Sequence, residues 1–388
     1  MTNTPPPSTP PPAIALVPGF FGFDHRQART YFADRFVASL RAGLEARGFP
    51  RVPVVALSTL PIASLRKRQE ELLRELDTLE TPTEKAPRLG GPRSWHLVGH
   101  STGGVDAALL LRDSSLIDDP SGTVYGNKGW GRAADLVSRV RSVTSIAAPH
   151  FGSALAECPL ARLGRLEPSL AAMRDAAWGA LDVMRRGDLA GRIDFARSAM
   201  PGLSKTPFFV AELLFKNDLA RDLRPAVLVP LSKRPVRADM AGRVFSVATI
   251  APRPASDHSD KLFRDMWTWG HHAAAHVPMP EPLMPDGHDL EHPSLRLECQ
   301  RGITLPVIGS GDNDGVVSTQ RQLLGEPIAL VVGDHVDVLG RYRRLSALDG
   351  KVIDPGLLTS GADFGDDDFF ALLGRVADGI AGVLAKDS

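Results

Sequence analysis

Short apolar runs recur along the chain, separated by segments in which apolar residues return every three or four positions. The runs cover residues 14–17, 52–57, 95–98, 143–147, 244–249, 305–308 and 328–332. They are rich in β-branched and aliphatic residues and often end at Gly, Pro or Ser, the pattern of strands buried on both faces of a parallel sheet. Between the first two, Phe32, Phe36, Leu40 and Leu44 form one stripe at helical spacing, closed by Gly48 and Pro50. Leu65, Leu72, Leu76 and Leu79 mark a second helix. Strand–helix alternation of this kind predicts a layered α/β domain with a mostly parallel central sheet flanked by helices.

One stretch breaks the rhythm. Residues 153–242 carry helical patterns without a strand, including a stripe of Leu170, Met173, Ala177, Leu181 and Met184 and a densely apolar segment at 208–215. The expectation is a helical cap inserted between two sheet strands. Its apolar faces have two readings, an ordinary core or a lid over an apolar pocket. Residues 1–12 form a proline-rich tail, so one domain is expected over 13–388.

Composition narrows the class. Among 388 residues, Lys plus Arg and Asp plus Glu number 45 each, which disfavours a nucleic-acid partner. The two cysteines, Cys158 and Cys299, make no disulfide framework. The start MTNTPPPSTPPPA lacks a basic, then apolar leader, and no run of about eighteen apolar residues offers a transmembrane segment. The expected location is cytoplasmic.

The sharpest chemical signal is Gly99-His100-Ser101-Thr102-Gly103-Gly104, between the run at 95–98 and a helical pattern from Val105. A serine on such a strand-to-helix turn stands clear of the sheet, next to a helix N-terminus that favours developing negative charge. Serine attacks a carbonyl only when a base takes its proton, and a carboxylate must hold that base in the right tautomer. The later chain supplies both in loops that follow strand-like runs. Asp314 lies in Gly311-Asp312-Asn313-Asp314-Gly315, with Asp312 as the alternative acid, and His335 follows the run at 328–332. Asp334, adjacent to the histidine, is badly placed to hold its ring. The backbone N–H groups of Thr102 and Phe20, with Phe21 in reserve, are the candidate oxyanion donors.

Five segments resemble the bacterial triacylglycerol lipase-like branch of the α/β-hydrolases. They are Ala15-Leu16-Val17-Pro18-Gly19-Phe20-Phe21-Gly22-Phe23-Asp24, His96 to Ala107 around Ser101, Val143 to Ser153, Asn313-Asp314-Gly315-Val316-Val317-Ser318 and Asp334-His335-Val336-Asp337. The resemblance implies the α/β-hydrolase fold, a Ser101–Asp314–His335 triad and an oxyanion hole from Phe20 and Thr102. It also implies a serine carboxylic ester hydrolase (lipase or esterase) acting on a small ester or lipid, with fatty-acyl esters favoured by the apolar insertion. No cofactor is required. Pro18 departs from the pattern, standing where these lipases carry histidine. Some relatives bind a structural calcium, for which Asp337 is the matching position and Asp289 or Glu291 are guesses at a second ligand. Two other activities share this framework, an acyltransferase using the same acyl-enzyme and a non-catalytic binding protein keeping the fold as scaffold. Outside the motifs, His271, His272 and His276 invite a metal reading without a fourth ligand at motif spacing. Phe263, Trp267 and Trp269 suit an acyl pocket or, as aromatics more often do, a core.

Overall fold

The computed structural model describes residues 10–20, 31–60, 63–81, 89, 91–112, 126–153, 156, 218–252, 289–303, 308–309, 311–346, 350–355 and 362–388. Six parallel strands form its centre: β1 (Ala13–Val17), β2 (Val54–Ala56), β3 (Trp95–His100), β4 (Val140–Ile146), β5 (Val244–Ile250) and β6 (Glu326–Val332). Their order across the sheet is β2-β1-β3-β4-β5-β6. With right-handed crossovers the chain winds outward in both directions from β1, so the order reverses between β1 and β3. Open α/β sheets place their sites at such a reversal, beyond the carboxyl ends of the two strands.

Helices cover both faces. On one lie α1 (Asp34–Glu45) and the C-terminal α7 (Asp366–Asp387). Phe36, Leu40 and Leu44 pack with Phe369, Leu372, Val376 and Ile380 against Ile14 and Leu16 of β1. On the other lie α2 (Leu65–Glu80), α3 (Thr102–Leu109) and α4 (Gly126–Ser138). There Leu72, Leu76, Ala107 and Leu136 meet Ala13, Ala15 and Val17. Alternate residues of β1 therefore serve opposite cores, which is why its sequence is apolar throughout rather than alternating. The strand order, the helices on both faces and the strained serine turn after β3 are those of the α/β-hydrolase fold.

Strand ends depart from the hydrophobic runs for identifiable reasons. Gly99 and His100 extend β3 past its apolar stretch because they pair with Ser145 and Ile146. Ala147, although apolar, ends β4 because its φ of 52° leaves the extended region. The expected run at 305–308 and the helical stripes at 170–184 and 208–215 lie outside the described residues, apart from Ile308, which is not in a strand. The described part of the expected insertion, from 218, holds α5 (Asp218–Asp222), α6 (Pro225–Ser232) and a short 3₁₀ turn, with no strand among the described residues up to 242. Leu219 and Leu228 from it pack with Val105 and Leu109 of α3 and with Phe20.

Two features had no counterpart in the sequence reading. One is α7, whose first turn carries Asp366, Asp367 and Asp368. Those charges complement the helix dipole, and the Asp368 carboxylate accepts the Gly365 N–H at 2.8 Å. The other is an antiparallel hairpin of β7 (Arg343–Leu345) and β8 (Val352–Pro355). Among the described residues, no helix is long and apolar enough to cross a membrane.

Candidate active site

Ser101 occupies the turn between β3 and α3 with φ 55° and ψ −131°, a conformation that L residues rarely adopt. The turn closes only because its neighbours lack side chains. A Cβ on Gly99 would collide with the backbone of Gly103, and one on Gly103 would collide with the Val17 carbonyl. The Ser101 N–H donates to the Ile146 carbonyl at 2.9 Å, anchoring the turn to β4. Thr102 begins α3, where the first amides have no acceptor within the helix.

The loop after β1 comes against this serine. A Cβ on Gly19 would lie 2.7 Å from Ser101 Cβ and 2.8 Å from the His100 carbonyl, so only glycine allows the approach. The Pro18 carbonyl accepts from the Arg68 guanidinium at 3.0 Å and from the Thr59 hydroxyl at 3.2 Å. Arg68 in turn pairs with Asp106 of α3 at 2.7 Å, both side chains fully buried. The helix that follows the serine thus holds the loop that faces it. Pro18, the departure noted in the sequence, contributes its carbonyl to this clamp. Phe20 is half-buried against α3 and α6, while its reserve Phe21 lies outside the described residues.

Asp314 and His335 come together from two loops. His335 Nδ1 donates to Asp314 Oδ2 at 2.8 Å, and the His335 backbone N–H donates to the Asp314 carbonyl at 2.9 Å. The other carboxylate oxygen accepts the N–H groups of Val316 at 3.0 Å and Val317 at 2.8 Å. Oδ2 also receives the Thr249 hydroxyl at 2.5 Å and the Gln322 amide at 3.2 Å. Burial pushes the pKa of this carboxyl up, but the adjacent His335 and the donated hydrogen bonds outweigh it, and the net shift is downward. Asp314 is therefore held as a carboxylate although it is wholly buried. Asp312 has a different task, its Oδ2 accepting the Gly309 N–H at 2.8 Å.

With Nδ1 committed to Asp314, the nitrogen of His335 left to take a proton is Nε2. His100, the residue before Ser101, places its Nε2 2.8 Å from the His335 carbonyl, and the two rings lie 4.8 Å apart. The Asp314–His335 pair and the serine turn therefore share one edge of the sheet. Thr249, Gln322, Tyr31, His100, Arg68 and Asp106 carry much of this order, and the sequence assigned none of them a role. Each meets partners far along the chain, so no local spacing marks them.

Calcium finds no assembled donor set among the described residues. Asp337 Oδ2 accepts the Asp334 N–H at 2.8 Å, which caps the turn beside His335. Asp289 Oδ1 and Glu291 Oε1 accept the N–H groups of Glu291 and Ile308, both at 2.9 Å. No group of three or more metal-ligating side chains gathers among the described residues, whereas calcium takes about six to eight oxygens. His271, His272, His276, Phe263, Trp267, Trp269 and Cys158 lie outside the described residues, and Cys299 is an exposed free thiol.

No protein-family model and no curated protein matches the chain. Solved structures do match it at low identity. The lipase of Staphylococcus hyicus is 15% identical with a TM-score of 0.49, the alignment covering 100% of this chain and 99% of that one. EstA from Clostridium botulinum is 16% identical with a TM-score of 0.46, covering 95% and 87%. Lipase 1 from Pelosinus fermentans is 17% identical with a TM-score of 0.43, covering 94% and 97%.

Proposed function

We propose that this chain is a serine carboxylic ester hydrolase in which Ser101 is the nucleophile, His335 the base and Asp314 the acid that orients it. The observation that carries the reading is the doubly bonded Asp314–His335 pair on the sheet edge that holds the strained Ser101 turn. His335 Nε2 takes the Ser101 hydroxyl proton as the oxygen attacks an ester carbonyl. The tetrahedral oxyanion accepts hydrogen bonds from the N–H groups of Thr102 and Phe20. Collapse expels the alcohol, which leaves with the proton from His335, and the acyl group stays on Ser101. Water then gives its proton to the same imidazole as it attacks the acyl-enzyme, and His335 returns that proton to Ser101 Oγ as the acyl bond breaks and the acid leaves.

Fatty-acyl esters are the proposed substrate class, supported by the apolar character of the segment between β4 and β5. A fluorophosphonate probe tests the chemistry, since wild type should label at Ser101 and Ser101→Ala should not. A series of esters of graded acyl length tests the substrate. Turnover of acetyl esters equal to or better than longer chains would remove the lipid assignment while leaving the hydrolase. Product analysis with competing alcohols separates hydrolysis from acyl transfer.

A further inference from the structure

The mechanism above gives His100 no role, although it is buried and immediately precedes Ser101. Each of its ring nitrogens has a partner. Nδ1 lies 2.7 Å from the Tyr31 hydroxyl, and Nε2 lies 2.8 Å from the backbone carbonyl of His335. A carbonyl only accepts, so Nε2 must carry the hydrogen. In a neutral ring Nδ1 then accepts, and Tyr31 must donate. Burial, with His335 alongside, pushes the His100 pKa down to about 3, which keeps the ring neutral. The Gly19 amide faces the same Tyr31 oxygen, so the phenol also touches the loop beside Ser101.

The backbone of His335 is gripped from both sides. Its N–H goes to the Asp314 carbonyl, and its C=O receives His100. Asp314 fixes which nitrogen of the base is free, but it stands on the acid loop and cannot set the distance from base to serine. His100 can, because one peptide bond joins it to Ser101. We propose that His100, locked in its Nε2–H tautomer by Tyr31, is a positioning residue that sets the reach between His335 and Ser101. This rests on the ester-hydrolase reading. If His100 merely filled space, leucine would replace it about as well as glutamine, whose amide N–H can still donate to the His335 carbonyl.

The experiment measures fluorophosphonate labelling and ester turnover from pH 5 to 9 for wild type, His100→Leu, His100→Gln and Tyr31→Phe. Displacing reacting groups by about 1 Å costs on the order of 10²-fold, so His100→Leu should lose about that much in labelling rate and kcat with KM nearly unchanged. His100→Gln should recover at least about tenfold of the loss, and Tyr31→Phe should fall between wild type and His100→Leu. A His100→Leu enzyme with wild-type labelling, or a His100→Gln enzyme as slow as His100→Leu, overturns the inference. Nitrogen NMR of histidine-labelled wild type needs no variant to fold, and there the His100 ring should stay neutral and Nε2–H across the range. An Nδ1–H tautomer would overturn the inference alone. Wild type inert to the probe would instead overturn the hydrolase reading and this inference with it.

Discussion

His335 is tied to Asp314 twice, by its ring at 2.8 Å and by its backbone N–H at 2.9 Å. A ring bond alone leaves a histidine loop free to pivot about its partner. The second bond joins the two loops, so Asp314 sets the imidazole's tautomer and its orientation to the carboxylate together. Asp314→Asn keeps an acceptor for the Val316 and Val317 amides but cannot hold the Nδ1–H tautomer with a charge. Activity should fall by about 10⁴-fold in kcat, with the protein still folded. Asp312→Asn should stay within about threefold of wild type, because that carboxylate accepts the Gly309 N–H, whereas Asp314 is the one bonded to His335. Steady-state kinetics on the two variants decide which aspartate is the acid, and a reversed order would remove Asp314 from the role.

The Arg68–Asp106 pair should matter to stability in a way that the Asp314–His335 pair does not. Both partners are fully buried, and Asp106 Oδ1 has no hydrogen-bond partner among the described residues. Burial pushes the Asp106 carboxyl up to about 6 even against the charge and hydrogen bonds of Arg68. Removing one partner strands the other's charge in the core, at a cost of about 3 to 5 kcal/mol. Arg68→Met should therefore lower the denaturation midpoint strongly, and adding Asp106→Leu should restore much of it, because a neutral pair strands nothing. Activity should not recover in the double variant, since the Pro18 carbonyl has still lost its guanidinium donor. Equal midpoints for the single and double variants would show that the stranded charge is not the cause.

Buried histidines predict acid sensitivity. His96 is pushed down to about 4, and His100 and His150 to about 3, in each case chiefly by burial. Unfolded, all three take up protons below about pH 6.5, while the folded chain does not until pH 3 to 4. Between those limits the unfolded state binds more protons, so stability rises with pH and is fully present only above about 6.5. Three such groups give about 4 kcal/mol per pH unit near pH 5, and Asp106, raised to about 6 in the folded chain, opposes them with one proton and leaves about 3. Asp314, with its lowered pKa, acts in the same direction at the acid end. Denaturant titrations at pH 7.5 and 5.0 measure the slope, and His96→Gln should reduce it by about one proton. A midpoint independent of pH in this range would contradict the burial of these rings.

The sequence is legible where burial or turn chemistry leaves a local mark. Strands such as β1 announce themselves because both faces are covered, and Ser101 because a glycine-flanked turn follows a strand. Asp314 and His335 could be named because each lies in a loop just after an apolar run. The polar framework around them leaves no such mark. Tyr31 and His100 are 69 positions apart, Thr249 and Gln322 are 73 apart, and Arg68 and Asp106 are 38 apart. Nothing in their spacing tells a buried partner from a solvated side chain, since sheet topology alone brings them together. The C-terminal helix leaves a weaker mark than its length suggests, because Gly374, Gly379 and Gly382 interrupt the stripe of Phe369, Leu372, Val376 and Ile380, and glycine is a poor helix former.

Gly19 offers the most direct test of how closely the loop after β1 approaches Ser101. Its Cα faces three groups at once, and an added methyl would stand 2.6 Å from the Tyr31 oxygen, 2.7 Å from Ser101 Cβ and 2.8 Å from the His100 carbonyl. None of these can retreat cheaply. Ser101 and His100 are fixed by the β3–α3 turn, and Tyr31 is held by His100. The loop itself must move, carrying the amide of Phe20 away from the position where an oxyanion would form. Losing one such donor costs about 10²- to 10³-fold in kcat, so Gly19→Ala should fall in that range. The effect should appear in turnover more than in probe affinity, because the donor matters most once charge has developed on the oxygen. The core strands do not depend on this loop, and the unfolding free energy should drop by no more than about 1 to 3 kcal/mol. A Gly19→Ala enzyme with wild-type kcat would mean that the loop shifts freely, and Phe20 would then lose its place as an oxyanion donor.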